Sequence, residues 1–284
     1  QKELVVVGEW MAPRIFSYDK AKSRFEEVKN TGLQNMYGWW QSVAAADLNG
    51  DGKQDLVLGN IGENFYLRPD KDHPVKLWIN DFDENGSMEK VMSYTVDGRD
   101  MPVVLKKDLE DQLPSIKKHN LKNEEYSHEA VQDLFSKELL AKSVVKQFNY
   151  KASVVAINKG NGSFNVKELP VRSQLSCINV IHCMDVNGDG KVDLVTGGNQ
   201  FGFLPQFERL DASFGDVLLN DGHGGLLWQE NTQTGLNMRG EMRDIAEVKS
   251  KGKDFLLFLQ NNEFPLLFQV NDFKATGAKE EKSK

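Results

Sequence analysis

Apolar residues along this chain come in short bursts, each closed by turn-forming residues. Four of them share one pattern: Glu3-Leu-Val-Val-Val-Gly8, Asp55-Leu-Val-Leu-Gly59, Asp193-Leu-Val-Thr-Gly197 and Asp254-Phe-Leu-Leu-Phe258. Runs this short, bounded by Gly, Asn and Asp, predict buried β-strands. A second unit follows the first three: an apolar strand, a polar turn, then an aromatic residue or leucine. It appears as Ile15-Phe-Ser-Tyr-Asp19 leading to Phe25, as Val155 to Phe164, and as Val217 to Leu226. Each repeat thus reads strand, loop, strand, connection, strand, glycine turn, strand. Four antiparallel strands per unit is the pattern of a propeller blade. The predicted class is all-β: β-propeller blades of four antiparallel strands over residues 1–270, about four of them. The first copy begins at its second strand, so the expectation is an arc belonging to a larger propeller.

One stretch departs from this rhythm. Between Lys106 and Lys142 the apolar positions Leu109, Leu113 and Ile116, then Val131, Leu134, Phe135 and Leu139, follow helical spacing. Pro114 interrupts the first group, and Ser127-His-Glu-Ala reads as a helix start. This predicts a small helical insertion, 106–142, between blades. The Lys- and Glu-rich end, 271–284, reads as a flexible tail.

The loop before two of the strands carries distinctive chemistry. In Asp47-Leu-Asn-Gly-Asp-Gly-Lys-Gln-Asp55, oxygen-bearing side chains fall at positions 1, 3, 5 and 9, as Asp47, Asn49, Asp51 and Asp55. Gly52 at position 6 permits a sharp curl, and the Lys53 carbonyl at position 7 adds an oxygen. The string returns position for position as Asp185, Asn187, Asp189, Lys191 and Asp193. Calcium takes about six to eight hard oxygen ligands, which such a loop gathers around one point. Position 12 is Leu58 or Thr196 and strands flank both loops, which excludes an EF-hand. A third candidate, Asp81, Asp83, Asn85, Ser87 and Glu89 with Gly86 at position 6, follows the strand Leu77–Asn80. The competing reading there is an Asn-Gly hairpin turn with acidic neighbours. Two Ca2+ sites are expected, with this as a third candidate. The corresponding stretch of the last repeat, Met242–Asp254, has lost most of its oxygen ligands.

Composition narrows the remaining classes. The 284 residues, 39% hydrophobic with 24 Gly and 8 Pro, describe a folded chain rich in tight turns. A net charge of −7 carries no basic footprint for nucleic acid. No apolar run approaches the ~20 residues of a membrane-spanning helix. Cys177 and Cys183 fall in one predicted strand, about 20 Å apart when extended, so a bond between them is not expected. The five histidines form no metalloprotease pairing, and no nucleophile-elbow string is present. Trp39-Trp40 reads either as packing between blades or as a sugar-stacking platform. The chain opens on Gln1 rather than Met and reads as a piece of a longer protein.

With repeats and loops in view, the chain resembles the FG-GAP/VCBS-repeat β-propellers. More closely it is similar to the C-terminal part of large exported FG-GAP/ASPIC-type bacterial proteins. The matching strings are Val7–Pro13, Gly38-Trp-Trp40, Gly59-Asn60, Asn80–Gly86, Lys107–Pro114, Leu210–Gly222 and Arg239–Ile245. The resemblance implies calcium at the two matching loops and no shared catalytic residues. It also implies an exported protein at the cell surface, outer membrane or outside the cell, engaging a protein or glycan. Three readings stay open: a calcium-stabilised binding or scaffold module, a subunit of an outer-membrane uptake or assembly complex with the insertion as its docking element, and a polysaccharide-active enzyme.

Overall fold

The computed structural model describes residues 3–119, 122–204, 207 and 209–271. Strands dominate, and four antiparallel sheets of the propeller type follow one another along the chain. The first contains β1 (Glu3–Val6); β2 (Glu9–Met11) leaves it, while β3 (Arg14–Asp19) and β4 (Arg24–Glu27) complete it in the order β1-β3-β4. β2 pairs instead with β5 (Gly38–Trp39). The second sheet starts with β6 (Ser42–Ala46) and β7 (Asp55–Gly59), joined by the first metal-type loop.

The chain then departs for residues 60–153 before this sheet resumes. The excursion contains β8 (Val75–Asn80), β9 (Glu89–Val96) and β10 (Arg99–Pro102), then five short helices, α1 (Lys106–Gln112), α2 (Ile116–His119), α3 (Asn123–Ser127), α4 (Val131–Leu134) and α5 (Lys137–Lys142), and finally β11 (Val144–Phe148). Its strands make a sheet of their own, ordered β10-β9-β8-β11. Only then do β12 (Val154–Asn158) and β13 (Phe164–Glu168) complete the second blade, in the order β13-β12-β7-β6. The helices therefore do not sit between blades, as their spacing suggested; they belong to a larger insertion inside one blade. Ser127 ends α3 rather than starting a helix, and the chain turns helical again at Val131 after Ala130.

The third sheet is regular: β14 (Ile178–Met184), the second metal-type loop, β15 (Asp193–Gly198), β16 (Asp216–Asn220) and β17 (Leu226–Trp228). After a single helical turn, α6 (Asn231–Thr234), the fourth sheet follows as β18 (Met242–Ser250), β19 (Lys253–Gln260) and β20 (Leu266–Gln269). The β18–β19 connection is a tight turn at Lys251-Gly252, consistent with its lost ligand pattern. Of the stretch expected to be a tail, residues 272–284 lie outside the described residues.

Side-chain alternation explains the stacking of the sheets. In β7, Leu56 and Leu58 pack with Ile15 and Leu33 toward the first sheet, while Val57 packs with Ile178, Leu194 and Leu218 of the third. β12 splits the same way, Val154 and Ala156 to one side and Val155 to the other. In the third sheet Leu194 and Leu218 face the second, while Val195, Val217 and Leu219 meet Met242, Ile245, Leu256 and Phe258 of the fourth. Strands buried on both faces carry continuous apolar runs, which is why β7 and β15 were so visible in the sequence. Among the described residues no apolar cluster joins the first sheet to the fourth, so the arc is not closed. Within the insertion, Trp78, Phe82 and Val91 bury one face of the sheet against Leu109, Leu113, Ile116, Tyr126 and Val131.

Asp216, at the head of β16, is a buried carboxylate in this apolar setting. Burial pushes it up to about 6, opposed by the Trp228 Nε1–H donating to it at 2.8 Å and a longer bond from the Thr196 hydroxyl. Its folded value lies above the ordinary 3.8, so the folded state holds the proton more tightly. Stability then falls as pH rises from about 4 to about 6, and the deficit persists above that. Asp216→Asn keeps an acceptor for Trp228 and is expected to flatten this slope. It should gain up to roughly 3 kcal/mol near neutral pH. Urea melts of both proteins across that window check it, and parallel pH profiles would contradict it.

Candidate metal centres and the opposite face

Each β6–β7 type hairpin has two ends, and they carry different chemistry. At one end the three candidate loops repeat the same internal hydrogen bonds. The position-2 N–H donates to the position-9 carboxylate: Leu48 to Asp55 at 3.0 Å, Val186 to Asp193 at 3.0 Å, Phe82 to Glu89 at 2.9 Å. The position-6 glycine N–H donates to the position-1 carboxylate at 2.8 Å in all three, from Gly52, Gly190 and Gly86 to Asp47, Asp185 and Asp81. The position-7 N–H of Lys53, Lys191 or Ser87 donates to the side chain at position 5, Asp51, Asp189 or Asn85. Asn49 and Asn187, at position 3, each accept from the residue at position 5. Position 6 takes left-handed φ values of 80°, 82° and 90°, which glycine adopts at little cost.

The position-9 acids anchor these loops to the blade. Asp55 and Asp193 are fully buried, and their second oxygens accept from Asn158 N–H at 2.7 Å and Asn220 N–H at 2.8 Å on the third strand. Burial, reinforced by Asp189 and Asp185, raises the Asp193 carboxyl above its ordinary range. Asp51 and Asp189 go the other way. Lys53 lowers Asp51 chiefly through its ammonium bond, and Lys191 lowers Asp189 chiefly through its backbone N–H. The stems of these lysines cross the neighbouring Gly160 and Gly222, where a Cβ would meet them at 2.6 and 3.0 Å. Asn220 Nδ2 also donates to Leu48 O at 2.8 Å, tying the third sheet to the first metal-type loop.

Convergence differs among the three. Carboxylate oxygens of Asp81, Asp83 and Glu89 lie within 4.8 Å of one another, and Asp83 Oδ1 is buried without a hydrogen-bond partner. Three like charges this close, one of them orphaned, form a donor set suited to a hard divalent cation. Among the described residues the other two loops bring no three carboxylates together in this way, and their position-5 acids lie 2.8 and 3.5 Å from their lysines.

At the opposite ends of the strands stand Gly59-Asn60 and Gly198-Asn199. Asn60 and Asn199 are buried at 0% and 1% exposure with both ends of each amide engaged. On this face Trp39 stacks on Phe148 at 5.1 Å and meets Trp10 and Phe65 at 5.2 Å. Trp39 and Trp40 are both buried, which settles their role as packing. His182 on β14 bonds Glu247 of β18 at 3.0 Å, while His128 and His223 are exposed.

The comparisons bear on the first of these units. Residues 1–58 match the model of the FG-GAP-like repeat. Residues 1–58 carry an FG-GAP-like repeat. The matched span covers the first sheet, β6, the whole Asp47–Asp55 loop and most of β7. No curated protein matches the chain. The loop within the FG-GAP-like repeat is the one whose backbone N–H bonds to side chains the Asp185–Asp193 loop reproduces.

Sequence reasoning singled out the candidate loops but not the asparagine pair as a structural device. Gly59-Asn60 stood out as a string, yet the partners of Asn60 lie at Trp39, Tyr150 and Ala152. No local signal predicts those.

Proposed function

We propose that this chain is a calcium-stabilised propeller-type binding or scaffold module of an exported bacterial surface protein, engaging a protein or glycan. The observation that carries the calcium part is the shared set of backbone N–H bonds to side chains in the Asp47 and Asp185 loops, whose oxygens stand at calcium-loop positions. The Asp81, Asp83, Glu89 cluster supports a third ion. The ends of the strands opposite the Asp47–Asp55 and Asp185–Asp193 loops, with Gly59-Asn60 and Gly198-Asn199, suit contact with a ligand. A second reading, a subunit of an outer-membrane uptake or assembly complex, draws on exposed Tyr94, Val96 and Leu105 beside a cavity of about 720 Å3 on the insertion.

Calcium binding only the folded loop stabilises it by about 2.7 kcal/mol at a hundredfold excess over Kd. The melting temperature should therefore rise with calcium and fall in excess chelator. Asp51→Ala, at an exposed position, should remove about one loop's share, roughly 2.7 kcal/mol, and leave the chelator-treated protein almost unchanged. A melting temperature indifferent to chelator would refute the calcium reading.

A further inference from the structure

A cavity of about 580 Å3 opens where the first sheet meets the insertion. That is within the roughly 300–1,000 Å3 of small-ligand sites, and unit boundaries are where such sites gather. Two parts of the chain build it: Trp10, Arg14, Lys29 and Tyr37 from the first repeat, Lys76 and Lys146 from strands β8 and β11.

Charge is the first signal. Four cations line the cavity against one lining carboxylate, Glu27, in a chain whose net charge is −7. Arg14 grips Glu27 through two bonds, at 2.8 and 3.0 Å, and Lys29 reaches it at 2.6 Å. Lys76 is held by the buried Asp100 at 2.8 Å. Lys146 is exposed and has no charged partner among the described residues. The cationic excess is thus spread along the wall as separate ammonium groups, and the one guanidinium fork is already filled. Spaced point charges suit carboxylates distributed along a chain better than a single phosphate, which calls for a converging cradle.

Backbone strain is the second. Trp10 takes φ 59°, a left-handed conformation that is an outlier for a bulky residue and costs about 1–3 kcal/mol. That conformation puts the indole on the cavity wall, edge-on to Trp39 at 5.2 Å and to Phe148 at 6.4 Å. Tyr37 supplies a second ring, and Asn30, Gln34 and Gln147 supply amides that both donate and accept. Aromatic rings for sugar faces, amides for hydroxyls and lysines for carboxylates together describe an acidic saccharide.

We propose that this cavity binds a short acidic glycan segment, a run of uronate-type sugars, with Lys146 meeting a carboxylate and Trp10 a sugar face. The inference deepens the binding-module reading by naming its ligand class. It also gives the insertion a role, because β8 and β11 complete the site.

The test titrates the full chain with trigalacturonate by calorimetry at submillimolar calcium, beside maltotriose, citrate and hexaglutamate. Saturable binding of trigalacturonate, at least about tenfold tighter than each of the other three, is expected. Lys146→Glu should weaken it by roughly tenfold, as should Trp10→Ala if that variant retains its melting temperature. Lys146 is exposed and without a charged partner among the described residues, so its variant carries the test if Trp10→Ala does not fold. Maltotriose binding as well would overturn the acidic part, citrate binding as well the saccharide, and hexaglutamate binding as well would point to an acidic peptide instead. Undetectable binding, or wild-type affinity in Lys146→Glu, would overturn the site. Calcium-dependent melting without trigalacturonate binding refutes the cavity alone; absence of both refutes the module reading too.

Discussion

Asp193→Ala is expected to cost about 5 kcal/mol with calcium present and about half of that in excess chelator. Two separate losses add. Without its carboxylate, the N–H groups of Val186 and Asn220, now satisfied at 3.0 and 2.8 Å, are left without acceptors. Each unsatisfied buried donor costs about 1–3 kcal/mol, more at Asn220, which is buried, than at Val186, which is half-buried. On the proposed calcium reading the loop also loses a ligand, and with it the roughly 2.7 kcal/mol that calcium would supply at a hundredfold excess. The energy of burying the carboxylate itself, visible in its raised pKa, offsets part of the first loss. Asp51→Ala is the control, because Asp51 is exposed and its partner is the neighbouring Lys53. The two variants should therefore stay about 2.5 kcal/mol apart in chelator and in calcium alike, because both lose the same calcium contribution. Denaturant melts under both conditions measure this, and equal losses in chelator would show that the position-9 acid has no structural role of its own.

Local signals carried much of the fold. β6, β7, β14 and the start of β15 appear at the residues where apolar alternation and the flanking acids and glycines placed them. Doubly buried strands announce themselves, since neither face can carry polar side chains. What escaped was long-range pairing. Val75–Asn80 has the composition of any blade strand, and nothing in it says that β7 will pair with β12 across the whole of residues 60–153. The helices were legible as helices, yet their place inside a blade depends on that pairing. The candidate site divides along the same line. The proposed ligand positions in the loops are contiguous, so the candidate loops stand out in the sequence itself. The cavity draws on Trp10, Lys29, Lys76 and Lys146, brought together by topology, and on a left-handed tryptophan that no pattern predicts.

The pairing that escaped the sequence rests heavily on one side chain, so Asn60→Ala is expected to cost about 4 kcal/mol. Asn60 is fully buried. Its Oδ1 accepts from Trp39 N–H at 3.1 Å and Ile61 N–H at 2.9 Å, and its Nδ2 donates to Tyr150 O at 2.9 Å and Ala152 O at 3.3 Å. One amide thereby joins β5, the point where the chain leaves the second blade, and the segment where it returns. Truncation leaves two donors and two acceptors without it, and at about 1 kcal/mol each, the low end of the range, the sum is already about 4. Asn60→Asp restores both acceptor bonds but sets a carboxylate against two carbonyl oxygens, so it should rescue little. Asn199 supplies the comparison: it accepts from Ser213 N–H and the Ser176 hydroxyl and donates to Ser213 O in the third blade, which has no such insertion. Both alanine variants should lose stability, but only Asn60→Ala should speed amide exchange in β8 and β11 ahead of global unfolding. Exchange that rises equally in those strands for both variants, or an Asn60→Ala protein within about 1 kcal/mol of wild type, would show that the insertion is held to the blade by its apolar contacts alone.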